Sequence, residues 1–153
     1  MRKRSKYRPK GVRLDVMAWV KSGLMPINDV PHAAVNLRIR NHSALAAVTQ
    51  GKATKDDIDD LVGAVNVTEA LAMLGKGKDW ADEIRAGQEA VLAMARRGLE
   101  RGRFLFTGPE LTAVNLAMEI HDAQLDACNV QELEQALDLV EKTIKHRKAR
   151  VIA

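Results

Sequence analysis

Residues 107–146 read TGPELTAVNLAMEIHDAQLDACNVQELEQALDLVEKTIKH, and two helices are written into them. Thr107, with Pro109 in the first turn and Glu110 three residues on, has the form of a capping box for a helix over 109–127. Asn129 and Glu132 repeat that signature ahead of a helix over 130–147. Leu111, Val114, Met118, His121 and Leu125 are spaced 3, 4, 3 and 4, and so are Val130, Leu133, Leu137, Val140 and Ile144. Joined by about two residues, the pair predicts an antiparallel helical hairpin. Both stripes can face the protein's own core; an intermolecular seam is the alternative.

Working back along the chain, the other elements are also helical. Thr54 can cap a helix that carries Ile58, Leu61, Val62 and Val65 at helical spacing up to Leu74, with Gly75 as its stop. Asp79 is the expected cap of a helix over 80–101 that turns Ile84, Val91, Ala95 and Leu99 inward, while Gly87 and Gly98 leave room for a close neighbour. Phe104, Leu105 and Phe106 make a short apolar connection. Residues 33–40 are ambiguous: Val35, Leu37 and Ile39 alternate with polar residues as in a strand, whereas Ala33 and Ala34 favour helix. They read as the first part of a helix, with Asn41 capping a further stretch over 42–50 closed by Gly51. Asp15 can cap a short helix bearing Val16, Trp19 and Val20 that ends at Gly23, and residues 24–31 read as a loop.

The chain has 153 residues, 46% apolar and 29% charged, which suits one domain with a real core. The expected fold is all-α: a single-domain bundle of about six helices over 14–153, with a flexible basic arm over 1–13. No apolar run approaches the roughly 18 residues of a membrane span, and the start lacks the apolar stretch of a secretory signal, so a soluble, intracellular protein with no membrane partner is expected. Cys128 is the single cysteine, which excludes an internal disulfide and a multi-cysteine zinc site.

Charge is distributed unevenly. Arg2, Lys3, Arg4, Lys6, Arg8, Lys10 and Arg13 place seven positive and no negative charges in the first thirteen residues. Lys142, Lys145, Arg147, Lys148 and Arg150 form a second basic cluster, and residues 14–141 between them carry 12 basic and 20 acidic groups. Such an arm suits phosphate contact, whose affinity falls steeply with salt. Tyr7 is its only aromatic, so a series of stacked bases is not expected. A solvated tail, or one that neutralises a neighbouring subunit in a homo-oligomer, explains the same residues.

Four folded-region features can carry chemistry. Arg96, Arg97, Arg101 and Arg103 suit a helix's negative end, and their fork geometry also suits phosphate. Asp56, Asp57, Asp59 and Asp60 crowd a helix start, where its positive end stabilises them; an acidic face that mimics nucleic acid or docks on a basic partner is the sharper reading. Gly75, Lys76, Gly77 and Lys78 precede a helix but follow another helix and lack the Gly-x-x-x-x-Gly-Lys-Ser/Thr pattern, so nucleotide hydrolysis is not expected. Cys128 reads as a packing residue with no activating histidine.

Glu119, His121 and Asp122 include an adjacent His-Asp pair that resembles the metal ligands of HD-type phosphohydrolases, which are also helical. That resemblance implies another histidine, for which His42 or His32 is available, and a later aspartate, Asp126 or Asp138. Neighbouring helix residues point about 100° apart, and His121 lies on the apolar stripe, so a core-edge histidine is the expected reading and no metal or other cofactor is assigned.

The segments Lys6-Tyr7-Arg8-Pro9-Lys10, Asn41-His42-Ser43-Ala44-Leu45 with Gly51, and Arg97 to Leu125 resemble a group of small proteins encoded by phages and prophages of proteobacteria. The resemblance implies a setting in an infected bacterium and carries over no catalytic or binding residue. The expectation is a non-enzymatic accessory protein that binds nucleic acid or a nucleoprotein through its basic termini, with help from the four arginines. The alternatives are an inhibitor or adaptor of host machinery, such as a bacterial defence system, acting through the acidic body, and a virion-associated structural protein.

Overall fold

A computed structural model describes residues 22–146 as a helical bundle, in which the five α-helices of the described residues are α1 (Ala33–Thr49), α2 (Lys55–Met73), α3 (Ala81–Arg101), α4 (Gly108–Ala127) and α5 (Val130–Lys145). Short 3-10 turns at Ile27–Asp29 and Lys78–Trp80 precede α1 and α3. The basic arm, Arg147, Lys148, Arg150 and most of the helix expected from Asp15 lie outside the described residues.

Three of the helix starts follow from local chemistry. Thr54, Thr107 and Asn129 each accept a hydrogen bond from the backbone N–H three residues on, and the carboxylates of Asp57, Glu110 and Glu132 each accept one from the cap backbone N–H at 2.8, 2.8 and 3.0 Å. Gly51 and Gly75 stop α1 and α2 with φ of 68° and 101°, a region where a Cβ is strained.

Two expected caps are corrected. Asp79 caps nothing: it lies inside the Lys78–Trp80 turn, and α3 starts at Ala81 without a side-chain cap. Asn41 is an interior, buried residue of α1, because Ala33 to Thr49 form one uninterrupted helix and the strand-like alternation at Val35, Leu37 and Ile39 yields to it. Val35 and Ile39 are exposed, so their alternation records no buried face.

Helix α2 is the hub. It buries Ile58, Leu61, Val65, Leu71 and their neighbours round most of its circumference, and α1, α3, α4 and α5 all pack on it. Leu61, Leu71, Ile84, Met94, Met118 and Leu125 are fully enclosed, each worth roughly 1.5–3 kcal/mol of burial. The tightest pairing is α3 with α4. Gly87 lies directly against the Ala117 methyl of α4, so the two backbones approach as a glycine allows, and the Phe104 ring of the connection covers Gly98. Leu99, expected inside, is 44% exposed, since the buried face of α3 is centred on Gly87, Met94 and Gly98 and leaves Leu99 about 100° beyond Gly98.

The expected hairpin takes a different form. The turn at Cys128 and Asn129 is as short as expected, but α5 leaves α4 and packs on α2, setting Val130, Leu133, Ala136 and Val140 against Val67, Ala70 and Leu71. Residues before α1 join this corner. Ile27 N–H donates to the Cys128 carbonyl at 3.1 Å and Val130 N–H to that of Met25 at 3.0 Å, an antiparallel bridge about Pro26 and Asn129.

Candidate functional site

A polar cluster fills the angle between α1 and α4. Arg38 and His42 are one turn apart on α1, and Asp122 and Asp126 are one turn apart on α4, so two side chains from each helix meet. His42 Nε2 lies 2.7 Å from Asp122 Oδ2. The Arg38 guanidinium bonds Asp126, donates to the Asp122 carbonyl at 3.2 Å and holds its Nε 3.8 Å from Asp122 Oδ1. Asn28 donates to Asp126 at 3.0 Å, and these two donors hold the Asp126 carboxyl below its ordinary range.

His121 stands behind this cluster with 2% of its surface exposed. Burial pushes it down to about 4, helped by the charges of Arg38 and His42 and opposed by Asp122. Among the described residues, His121 Nδ1, Asp122 Oδ1 and Arg38 Nε are buried and make no hydrogen bond. The His-Asp pair therefore divides its tasks: Asp122 turns to α1 and His121 turns to the core. The positive charge between Asp122 and Asp126 is Arg38 itself, and no group of three or more His, Cys, Asp or Glu among the described residues is placed to hold a metal ion. His32 is exposed at the left-handed cap of α1, Asp138 pairs with Lys142 at 2.7 Å on α5, and Glu119 is exposed.

The four arginines are not equivalent. Arg97 forks Glu110 at 2.9 and 2.6 Å and donates to the Leu105 carbonyl at 2.8 Å, so its guanidinium is used within the fold. Arg96, Arg101 and Arg103 are exposed, and Arg103 lies across Gly51, where a Cβ would collide with its guanidinium.

The acidic and lysine-bearing turns divide in the same way. Asp57 belongs to the α2 capping box and Asp60 sits 3.5 Å from Arg40, while Asp56 and Asp59 are exposed. Lys76 Nζ donates to the Ala127 carbonyl at 3.0 Å and approaches Glu132 at 3.4 Å, tying its turn to the α4–α5 corner; Lys78 stays exposed. Gln124, not singled out by any motif, is buried and donates to the carbonyls of Thr68 and Lys76 at 2.9 and 2.7 Å. Burial raises the Cys128 thiol, as suits a packing residue.

A groove of about 400 Å³ opens between α2, α3 and the second half of α5, lined by Val62, Met73, Leu92, Val140 and Ile144 among others. Gln88 crosses its lining to Asn66 and Glu69 at 3.3 and 2.9 Å. Nothing in the local sequence signals it, because its walls come from three helices. No helix of the described residues is long and apolar enough to cross a membrane. The arrangement is that of an all-helical bundle with a half-buried ionic cluster. The chain matches no protein-family model, no curated protein and no solved structure.

Proposed function

We propose that this protein is a non-enzymatic accessory protein that contacts nucleic acid, or a nucleoprotein, through its basic flanking segments. The supporting observation is the separation of charge. Residues 22–146 carry 13 basic and 19 acidic groups, a net of −6, while the flanks carry 11 basic groups and one acidic group, a net of +10. Phosphates are the natural contacts of the flanking residues from Arg2 to Arg13 and from Arg147 to Arg150, with Arg96, Arg101 and Arg103 as folded-region partners. Arg97 is left out of that set because Glu110 holds it.

The likeness of Lys6–Lys10, Asn41–Leu45 and Arg97–Leu125 to small phage and prophage proteins supports a setting in the cytoplasm of an infected bacterium. The test is binding of DNA and RNA by the full chain as salt is raised. Neutralising six to ten phosphates costs roughly 10³-fold or more in affinity between 50 and 200 mM salt. Removal of residues 1–13 weakens binding and flattens that dependence; binding that survives the truncation unchanged rejects the proposal.

A second reading, an inhibitor or adaptor docking on a basic host protein, is favoured by the negative body and by the exposure of Asp56 and Asp59 at the start of α2. Charge reversal at those two positions tests it without disturbing Asp57, which caps α2, or Asp60, which meets Arg40. A virion-associated role would instead place the protein in purified particles.

A further inference from the structure

The turn after α1 and the connection after α3 meet at one end of the bundle. Gly51 and Gly102 both take the left-handed conformation that stops a helix, with φ of 68° and 74°, and Arg103 reaches from one stop to the other. A Cβ at Gly51 would stand 2.7 Å from Arg103 Nε and 2.9 Å from its Cζ, so the guanidinium occupies the room that a side chain would take. Packing, not an acceptor, sets its place. Arg103 makes no hydrogen bond or ion pair among the described residues, which leaves its N–H donors unspent.

Two more cations stand beside it. Lys52 follows Gly51, its Cα about 3.8 Å from that of the glycine, and Arg101 precedes Arg103 by two residues, its Cα within about 7 Å. Both are exposed, and neither side chain has a partner among the described residues. The ends of α1 and α3 attract cations, but each amounts to about half a negative charge, so together they offset one of the three. The carboxylates of the neighbouring helix starts are engaged, Asp57 in the cap of α2 and Glu110 with Arg97 and the cap of α4. Lys55 and Asp56, adjacent at the start of α2, offset each other, and Glu100 points about 100° round α3 from Arg101. A surplus of positive charge therefore remains at this corner of an otherwise acidic body.

We propose that the corner is a phosphate site, in which Lys52, Arg101 and Arg103 hold the sugar-phosphate backbone of a nucleic acid, Arg103 through a guanidinium already in place. The inference rests on nucleic-acid contact by the basic flanks and adds to it a folded surface that includes Lys52. Arg96 is not part of the corner, because it points about 140° round α3 from Arg101.

The experiment is titration of labelled duplex DNA and single-stranded RNA with the full chain over a series of salt concentrations. Each phosphate contact contributes about 0.9 to the slope of log affinity against log salt for the duplex and about 0.7 for the single strand. Arg103→Gln and Lys52→Gln are each expected to weaken binding and to lower the slope by about that amount, while Arg103→Lys keeps it. Lys78→Gln removes the same charge at the other end of α2, about 28 Å away, and leaves the slope unchanged. Circular dichroism checks that each variant keeps its helix content. Binding whose slope survives both glutamine substitutions overturns the site and leaves the reading of the flanks standing. A slope lowered equally by Lys78→Gln overturns it too, by making overall charge the cause. Absence of binding by the unaltered chain at about 50 mM salt overturns the flank reading and the corner with it.

Discussion

Arg97 and Glu110 lock α3 to α4: both terminal nitrogens of the guanidinium meet both carboxylate oxygens, at 2.9 and 2.6 Å, and the same carboxylate accepts the Thr107 N–H that starts α4. One side chain thus serves an ion pair and a helix cap. The Arg97 guanidinium, through its hydrogen bonds, holds the Glu110 carboxyl below its ordinary range, and Glu110 in turn raises Arg97.

Glu110→Ala should therefore cost more than a surface ion pair. Loss of the cap and of a charge-assisted fork amounts to about 2–3 kcal/mol, against about 1 kcal/mol for a pair in open water. Urea unfolding of Arg97→Ala, Glu110→Ala and the double variant should show a coupling energy, which simple additivity would contradict.

Gly87→Ala places a methyl inside contact distance of the Ala117 Cβ. Alanine's better helix propensity, about 1 kcal/mol, favours the change, but separating α3 from α4 opposes it by roughly 1–3 kcal/mol. Net destabilisation is expected, with the unfolding midpoint lowered. Gly63→Ala on α2, where a new methyl meets open space, should instead stabilise.

Acid should act in two stages. His121 falls to about 4 from its ordinary 6.5, so the unfolded chain takes up its proton first. Stability is complete above pH 6.5 and declines as pH falls toward 4, by at most about 3 kcal/mol from this group. The depressed carboxyls of Glu110 and Asp126 contribute stability that persists above their ordinary range and is lost on further acidification. Unfolding midpoints of His121→Leu against pH should be flatter between pH 6.5 and 4 and unchanged in shape below that; an identical slope would contradict the assignment.

Gln124→Leu removes the donor shared by the Thr68 carbonyl, inside α2, and the Lys76 carbonyl, in the turn after it, at a mostly buried site. A loss of about 2–3 kcal/mol is expected. Amide exchange should accelerate in the Gly75–Lys78 turn more than in α1, which distinguishes loss of this tether from general loosening.

What the sequence made legible was local. Thr54, Thr107 and Asn129 start helices through a partner three residues away, and Gly51 and Gly75 end them through their own φ, so a short window contains the whole cause. What it hid depends on distant partners. Asn41 looks like a cap until α1 is seen to run through it, and Leu99 fits a stripe whose true centre is set by Gly87 against Ala117. The spacing of α5 gave its period correctly, yet the direction it faces is chosen by α2, some seventy residues earlier. His42 reads in the sequence only as a spare ligand for a metal set that the spacing argues against, and its direct contact with Asp122, across eighty residues, had no local sign; nor did Arg38 filling the space between the carboxylates.

The bridge that ties Met25 and Ile27 to Cys128 and Val130 has a consequence for synthesis. A nascent chain leaving the ribosome can close α2, α3 and α4 on one another, but residues 25–27 must wait for more than a hundred others before their backbone finds its mate. Release of the polypeptide before Val130 would strand that early segment, leaving it as the natural first cut for a housekeeping protease.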